Sequence, residues 1–178
     1  GADLPIVSSD KIHQECDSNP SIEYIGFSQR LYTNEIMDRA CCHLLFPRKL
    51  KSNSILIRGL RMLAKKLELA ISPRNKNINI RKGPQWCSVT HNFVGYLLSQ
   101  KSWVEKTFKR TFAPDELFIQ TVCANSPFIE KVYNTTDEFV GCRRFIKWEN
   151  GELVPLGVAD IDDMFEGCVK LTLRINND

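Results

Sequence analysis

The stretch Phe112-Ala113-Pro114-Asp115-Glu116-Leu117-Phe118-Ile119-Gln120-Thr121-Val122 sets a proline, two carboxylates and an amphipathic run in immediate succession. Pro114 suits the first position of a helix, because its missing N–H has no intrahelical partner there and its fixed φ is already helical. Asp115 and Glu116 then fall in the first turn, and Leu117, Phe118, Thr121 and Val122 supply an inward face behind them. Two readings stand side by side. Acids in a first turn complement the helix dipole and need no further purpose. Acids at the exposed end of a buried helix are also how a fold presents a carboxylate to a cleft.

Upstream, Gly83-Pro84 turns the chain into Gln85-Trp86-Cys87-Ser88, and Thr90 is placed to cap a helix over 91–99 with Phe93, Val94, Leu97 and Leu98 inward. Residues 101–111 continue as a helix whose apolar side is Trp103, Val104 and Phe108. Downstream, Arg143-Arg144-Phe145-Ile146-Lys147-Trp148 alternates like a strand at a cleft edge. Near the start, Asp3-Leu4-Pro5-Ile6 reads as a strand exit and Ser8-Ser9 as the cap of a short helix over 10–17. Strand-like stretches at 21–27, 37–46 and 78–81 alternate with helical ones near 53–70, 90–99, 101–111 and 114–125. The pattern predicts an α/β fold, a mixed sheet flanked by helices.

The 178 residues, 43% hydrophobic and 25% charged, are those of one globular domain over 1–178. No apolar run reaches membrane-spanning length, and no signal peptide is legible. Seven cysteines form no regular framework and no C-x-x-C, which points to buried thiols in a reducing compartment. His43 lies inside the apolar run Cys41-Cys42-His43-Leu44-Leu45-Phe46 and reads as a core or strand-edge histidine. Residues 48–66 carry seven lysines and arginines and no acid, with Leu56, Leu60, Leu63 and Leu67 at helical spacing. That helix packs through its leucines behind a solvated face, or it rests on an anionic membrane surface. Nucleic acid is set aside, since the net charge is only +3 and no aromatics interleave the basic residues. Asp160-Ile161-Asp162-Asp163 contains a D-x-D, a carboxylate pattern that suits a hard cation, but it opens a helix and reads as a cap.

In their order, the blocks at 1–6, 83–94, 112–122 and 144–148 resemble the branching family of glycosyltransferases, which includes core-2 β-1,6-N-acetylglucosaminyltransferases, protein xylosyltransferases and bacterial relatives. The resemblance implies the C-terminal half of a GT-A-like domain. It implies inverting transfer, without metal or other cofactor, of N-acetylglucosamine or xylose from a UDP-sugar to a glycan, peptide or lipid-linked acceptor. On the matching positions it makes Glu116 the general base, places Asp115, Trp86 and Trp148 at the acceptor, and places Asp3, Lys170 and Arg174 at the donor. For Trp86 a place in the core competes with that role. The sequence departs from the family at Cys87, where a second aromatic is common, and at Leu156 and Ile175, where basic residues are expected. The cysteine pattern leans to a bacterial cytoplasmic protein, peripheral to the membrane if the basic helix docks there; a eukaryotic member would work in the Golgi lumen. The alternative function is a non-catalytic carbohydrate-binding or interaction protein on the same framework.

Overall fold

The computed structural model describes residues 3–29, 36, 39–45, 54–150, 152–161 and 172–174. In chain order the elements are β1 (Asp3–Pro5), α1 (Ser9–Ser18), β2 (Tyr24–Ile25), α2 (Ile55–Ile71), β3 (Cys87–Ser88), α3 (His91–Ser99) and α4 (Lys101–Phe108). They continue with α5 (Phe118–Ala124), α6 (Glu138–Gly141), β4 (Arg144–Phe145), β5 (Trp148–Glu149), β6 (Glu152–Leu153) and β7 (Thr172–Arg174). Single 3-10 turns lie at Pro114–Glu116, Pro127–Lys131 and Val158–Asp160.

The sheet order is β1-β7-β4, with β7 antiparallel to β1 and parallel to β4, so the fold is α/β with a mixed sheet. Two antiparallel pairs, β2–β3 and β5–β6, stand apart from it. Helix starts fall where capping chemistry puts them: the Ser8 hydroxyl accepts from Lys11 N–H, and the Thr90 hydroxyl accepts from Phe93 N–H at 3.1 Å. Glu23 is fully buried, and its carboxylate receives the Thr90 N–H at 2.9 Å and the Thr90 hydroxyl at 2.6 Å. A buried negative charge is thereby matched to the positive end of α3. Arg143, also buried, bonds Glu15 at 2.9 Å and lies over the rings of Tyr24 and Tyr133.

The core has two clusters, one around Ile25, Phe27, Phe93, Val122 and Cys123, the other around Ile36, Ala40, Ile80, Phe108 and Leu117. Trp103 and Val104 of α4 touch both, as the apolar spacing of that helix predicted. Leu117, Thr121 and Val122 are buried as expected. Val94 and Leu98 are not, and only the Phe93 side of α3 faces the core.

Two strand expectations, 37–46 and 78–81, give way over their described residues because groups other than neighbouring strands satisfy the backbone, and a third, 21–27, shortens. The 37–46 run is helical at Arg39 and Ala40 and irregular over 41–45, the other positions lying outside the described residues. There the Asn75 amide donates to Ala40 O at 2.8 Å and Arg74 N–H to Cys41 O at 3.1 Å, in place of a ladder. His43 is half-exposed and bound to Glu68, not a core residue. The 78–81 segment forms no strand because the Thr121 hydroxyl and the Asn125 amide of α5 and its cap take its polar groups. Of the 21–27 stretch, Tyr24–Ile25 pairs with β3 and Glu23 forms a parallel bridge with Val132. Gly26 then lets Glu138 approach, since a Cβ there would lie 2.1 Å from the Glu138 carbonyl oxygen.

Helix α2 forms from strong helix formers and ends before Pro73. Its leucines do not pack inward: Leu56 is 84% exposed, and Leu60, Leu63 and Leu67 are at least half exposed. The less exposed side carries Ile57, Arg61, Ala64, Lys65, Glu68 and Leu69 instead. Among the described residues no helix is long and apolar enough to cross a membrane.

Candidate functional site

Pro114, Asp115 and Glu116 form a 3-10 turn rather than the first turn of an α-helix, and α5 begins only at Phe118. The chain enters this turn through Ala113 at φ 44°, a left-handed conformation that an alanine adopts only when its surroundings impose it. Arg39 imposes it. Its guanidinium donates to Phe112 O at 3.1 Å, to Ala113 O at 2.8 Å and to Glu116 Oε2 at 3.0 Å, and it lies over the Phe112 ring. One nearly buried cation thus fixes both the carbonyls that lead into the turn and the acid at its end.

The other wall is the segment 82–86. Gly83 N–H donates to Glu116 O at 3.0 Å, and a Cβ on Gly83 would lie 2.1 Å from Gly26 O and 2.8 Å from Gln120 Nε2. Only a residue without a side chain lets these backbones approach so closely. Gln120, buried in α5, donates to Gly26 O at 3.3 Å and to Pro84 O at 2.8 Å, tying the glycine-proline turn to the helix behind the acids. At the surface the Gln85 amide donates to the Asp115 carboxylate, and Lys82 Nζ lies 3.8 Å from Glu116 Oε2. Trp86 is half-buried beside this junction. Burial pushes the neighbouring Cys87 thiol upward, which keeps it protonated and unreactive near neutral pH.

The Glu116 carboxylate is therefore partly exposed, oriented through one oxygen by two cations and through its backbone by Gly83. Such a group accepts a proton from a hydroxyl brought to its open side. Residues 1–164 match the family Core-2/I-Branching enzyme. The chain belongs to that family. No curated protein matches it. Core-2/I-Branching membership carries glycosyltransferase activity with it, and with that a nucleotide-sugar donor and a glycan acceptor.

The Core-2/I-Branching blocks come together in part. Glu116, Asp115 and the Trp86 segment are neighbours through the contacts above. Asp3 and Arg174 are cross-strand partners in the β1–β7 register, so two donor candidates share one place in the sheet. Trp148 stands opposite Leu153 in the β5–β6 pair; its side chain, like those of Asp3 and Arg174, is outside the described part of the molecule. Lys170, Ile175, Asp162 and Asp163 lie outside the described residues, and Leu156 is half-buried. Asp160 caps its turn, accepting from Gly157 N–H at 2.8 Å and from Lys147 Nζ at 2.7 Å. Those bonds hold its carboxyl below the usual carboxylate range. Among the described residues no three His, Cys, Asp or Glu side chains gather as a metal-ligand set.

Arg39, Lys82, Gln85 and Gln120 are the site residues that sequence reasoning missed. Lys82 and Gln85 adjoin the glycine-proline turn and could have been found from it. Arg39 could not, because it sits in a stretch whose apolar run pointed to a strand.

Proposed function

We propose that this chain is the C-terminal portion of a GT-A-like catalytic domain that inverts configuration while moving N-acetylglucosamine or xylose from a UDP-sugar to an acceptor hydroxyl. Glu116 is the general base. The acceptor oxygen attacks the anomeric carbon, its proton passes to Glu116 Oε1, and the bond to the diphosphate breaks with its electron pair leaving on UDP. The observation that carries the reading is the Glu116 carboxylate held by Arg39 and Lys82 on Oε2, which leaves its other oxygen for the substrate. Asp115 and Trp86 border the acceptor, Trp148 stacks on its sugar ring, and the Asp3–Arg174 position with Lys170 faces the donor. Charge on the leaving diphosphate is met by Arg174 and Lys170, without a metal.

The test is transfer from UDP-N-acetylglucosamine and UDP-xylose in excess chelator. Glu116→Gln is expected to lower turnover by about 10²- to 10⁴-fold while leaving UDP affinity nearly unchanged. Activity lost to chelator and restored by manganese overturns the metal-free reading. The free thiols of Cys16, Cys87, Cys123 and Cys142 support a reducing, cytoplasmic setting.

The exposed leucines of α2 support a second part of the reading, peripheral contact with an anionic membrane through residues 48–66. Lys66 flanks the leucine stripe on this helix, and Arg48, Lys49 and Lys51 add positive charge to the same stretch of sequence, which favours an anionic surface. Co-sedimentation with vesicles containing about a third phosphatidylserine, and not with pure phosphatidylcholine, is the expected result.

A further inference from the structure

Between α2 and the segment 41–45 lies a cleft of about 360 Å³ that the transferase chemistry above does not use. Arg58, Arg61, Met62 and Lys65 line it from α2, and Cys42 to Leu45 from the facing segment. Glu68, the single acid of α2, is not available to these cations. His43 binds both its oxygens, through the ring nitrogen at 2.7 Å and the backbone N–H at 2.9 Å. The same contact pins the facing segment to the helix, and Arg110 O fixes it again by accepting from Leu44 N–H at 2.8 Å. At 100° per residue, Arg58, Arg61 and Lys65 fall on the opposite side of α2 from Leu56, Leu60, Leu63 and Leu67. The helix therefore turns Arg58, Arg61 and Lys65 towards the cleft and Leu56, Leu60, Leu63 and Leu67 towards solvent.

The rest of the lining is apolar: Leu44, Leu45, Met62 and Phe112. Arg39 also lines the cleft, and its guanidinium reaches Glu116 at 3.0 Å, so the cleft and the acid share a wall. Arginines on one wall beside accessible hydrocarbon suit an anion that carries an apolar chain, since a free sugar gains little from the hydrocarbon and a free phosphate leaves it bare.

We propose that this cleft binds a phosphoryl group attached to a hydrocarbon chain, the phosphoryl on Arg58 and Arg61 with Lys65, the chain along Leu44, Leu45 and Phe112. This makes the acceptor a molecule whose reacting hydroxyl is carried on a lipid-linked phosphate. The word acceptor rests on the transferase reading, whereas the binding does not.

The experiment is titration calorimetry of the chain, without donor, using octyl phosphate, inorganic phosphate, octyl glucoside and glucuronate. Octyl phosphate is expected to bind at least about tenfold tighter than each of the others, because only it satisfies both halves of the cleft. Arg58→Ala and Arg61→Ala should each weaken it about ten- to a hundredfold, with helical circular dichroism unchanged. Arg58→Lys should retain part of the affinity. Failure of octyl phosphate to saturate, or equal binding by both alanine variants, overturns the site. Glucuronate binding as tightly as octyl phosphate overturns the lipid assignment. Glu116→Gln should bind octyl phosphate like the parent protein, so loss of transfer with retained binding separates this site from the base.

Discussion

The acidic turn and helix α2 handle the same materials in opposite ways. At the turn, polar groups point inward and are paired: Arg39 with two carbonyls and Glu116, Gly83 with Glu116 O, Gln120 with Gly26 and Pro84. On α2 the leucines face water, and Arg61 and Lys65 face the body. The comparison teaches that amphipathic spacing identifies a helix and its two faces but does not say which face is inward. At the turn, burial and hydrogen bonding agree, so its geometry is over-determined. On α2 they do not, and Leu56, Leu60, Leu63 and Leu67 lie exposed, the face that the proposed membrane contact would cover.

The largest expected effect is at the clamp. Arg39→Met removes a nearly buried cation, leaves the Phe112 and Ala113 carbonyls without their donor and frees Glu116 from its anchor. Breaking one side of such an arrangement costs about 3–5 kcal/mol. Urea denaturation should show the midpoint falling by that equivalent, and transfer activity should be lost even under conditions where the chain stays folded. A loss of less than about 1 kcal/mol breaks the claim that the turn is over-determined.

Next comes Gly83→Ala. The new Cβ would meet the Gly26 carbonyl oxygen and the Gln120 amide, which are hydrogen-bonded to each other, so relief comes only by breaking that bond or by moving the Gly83 backbone and with it the Gly83 N–H bond to Glu116 O. Overpacking of this kind costs about 1–3 kcal/mol. Thermal melting and turnover should both decline, turnover by more than the folded fraction accounts for, because the acid itself is displaced.

Alkaline pH sharpens the contrast without a mutation. Burial pushes the thiols of Cys123 and Cys142, and with Glu15 nearby the phenol of Tyr24, up to about 12. These groups stay protonated in the folded chain while the unfolded chain releases protons from thiols near pH 8.5 and from tyrosine near about 10. The unfolded state then binds fewer protons, so stability falls as pH rises from about 8.5 towards 12, by at most about 1.4 kcal/mol per pH unit per thiol. Cys142→Ala should flatten that slope. A stability that holds steady from about pH 8.5 to 11 would mean the packed region is wetter than its burial indicates.

Much of this architecture was legible because the signals were local. Ser8 and Thr90 cap the helices they precede, and the apolar spacing of α4 and α5 named the right inward residues. Pro114-Asp115-Glu116 marked a helix start with two acids, although the structure makes it a separate 3-10 turn ahead of α5. Its clamp was not, since Arg39 and Glu116 are 77 residues apart and a lone arginine beside an apolar run carries no local mark of its partner. The lost strands fail for a related reason: whether an apolar run becomes a strand depends on what satisfies its backbone, and here Thr121, Asn75 and Asn125 do so from distant positions.

The smallest expected effect is on α2 and bears most directly on the contrast. Leu60 and Leu63 are already at least half exposed, so replacing either with serine removes little buried apolar surface and should change stability by no more than about 0.5 kcal/mol. Leu117 is fully buried, and Leu117→Ala should cost about 2–5 kcal/mol by losing transfer energy and leaving a cavity. Paired urea denaturation curves in the absence of lipid read both values. The double variant Leu60→Ser with Leu63→Ser should nonetheless lose binding to phosphatidylserine vesicles, since those leucines supply the apolar face that would enter the interface. If Leu60→Ser alone costs as much as Leu117→Ala, the stripe is buried in the folded protein against protein rather than lipid. The two regions then obey the same rule after all.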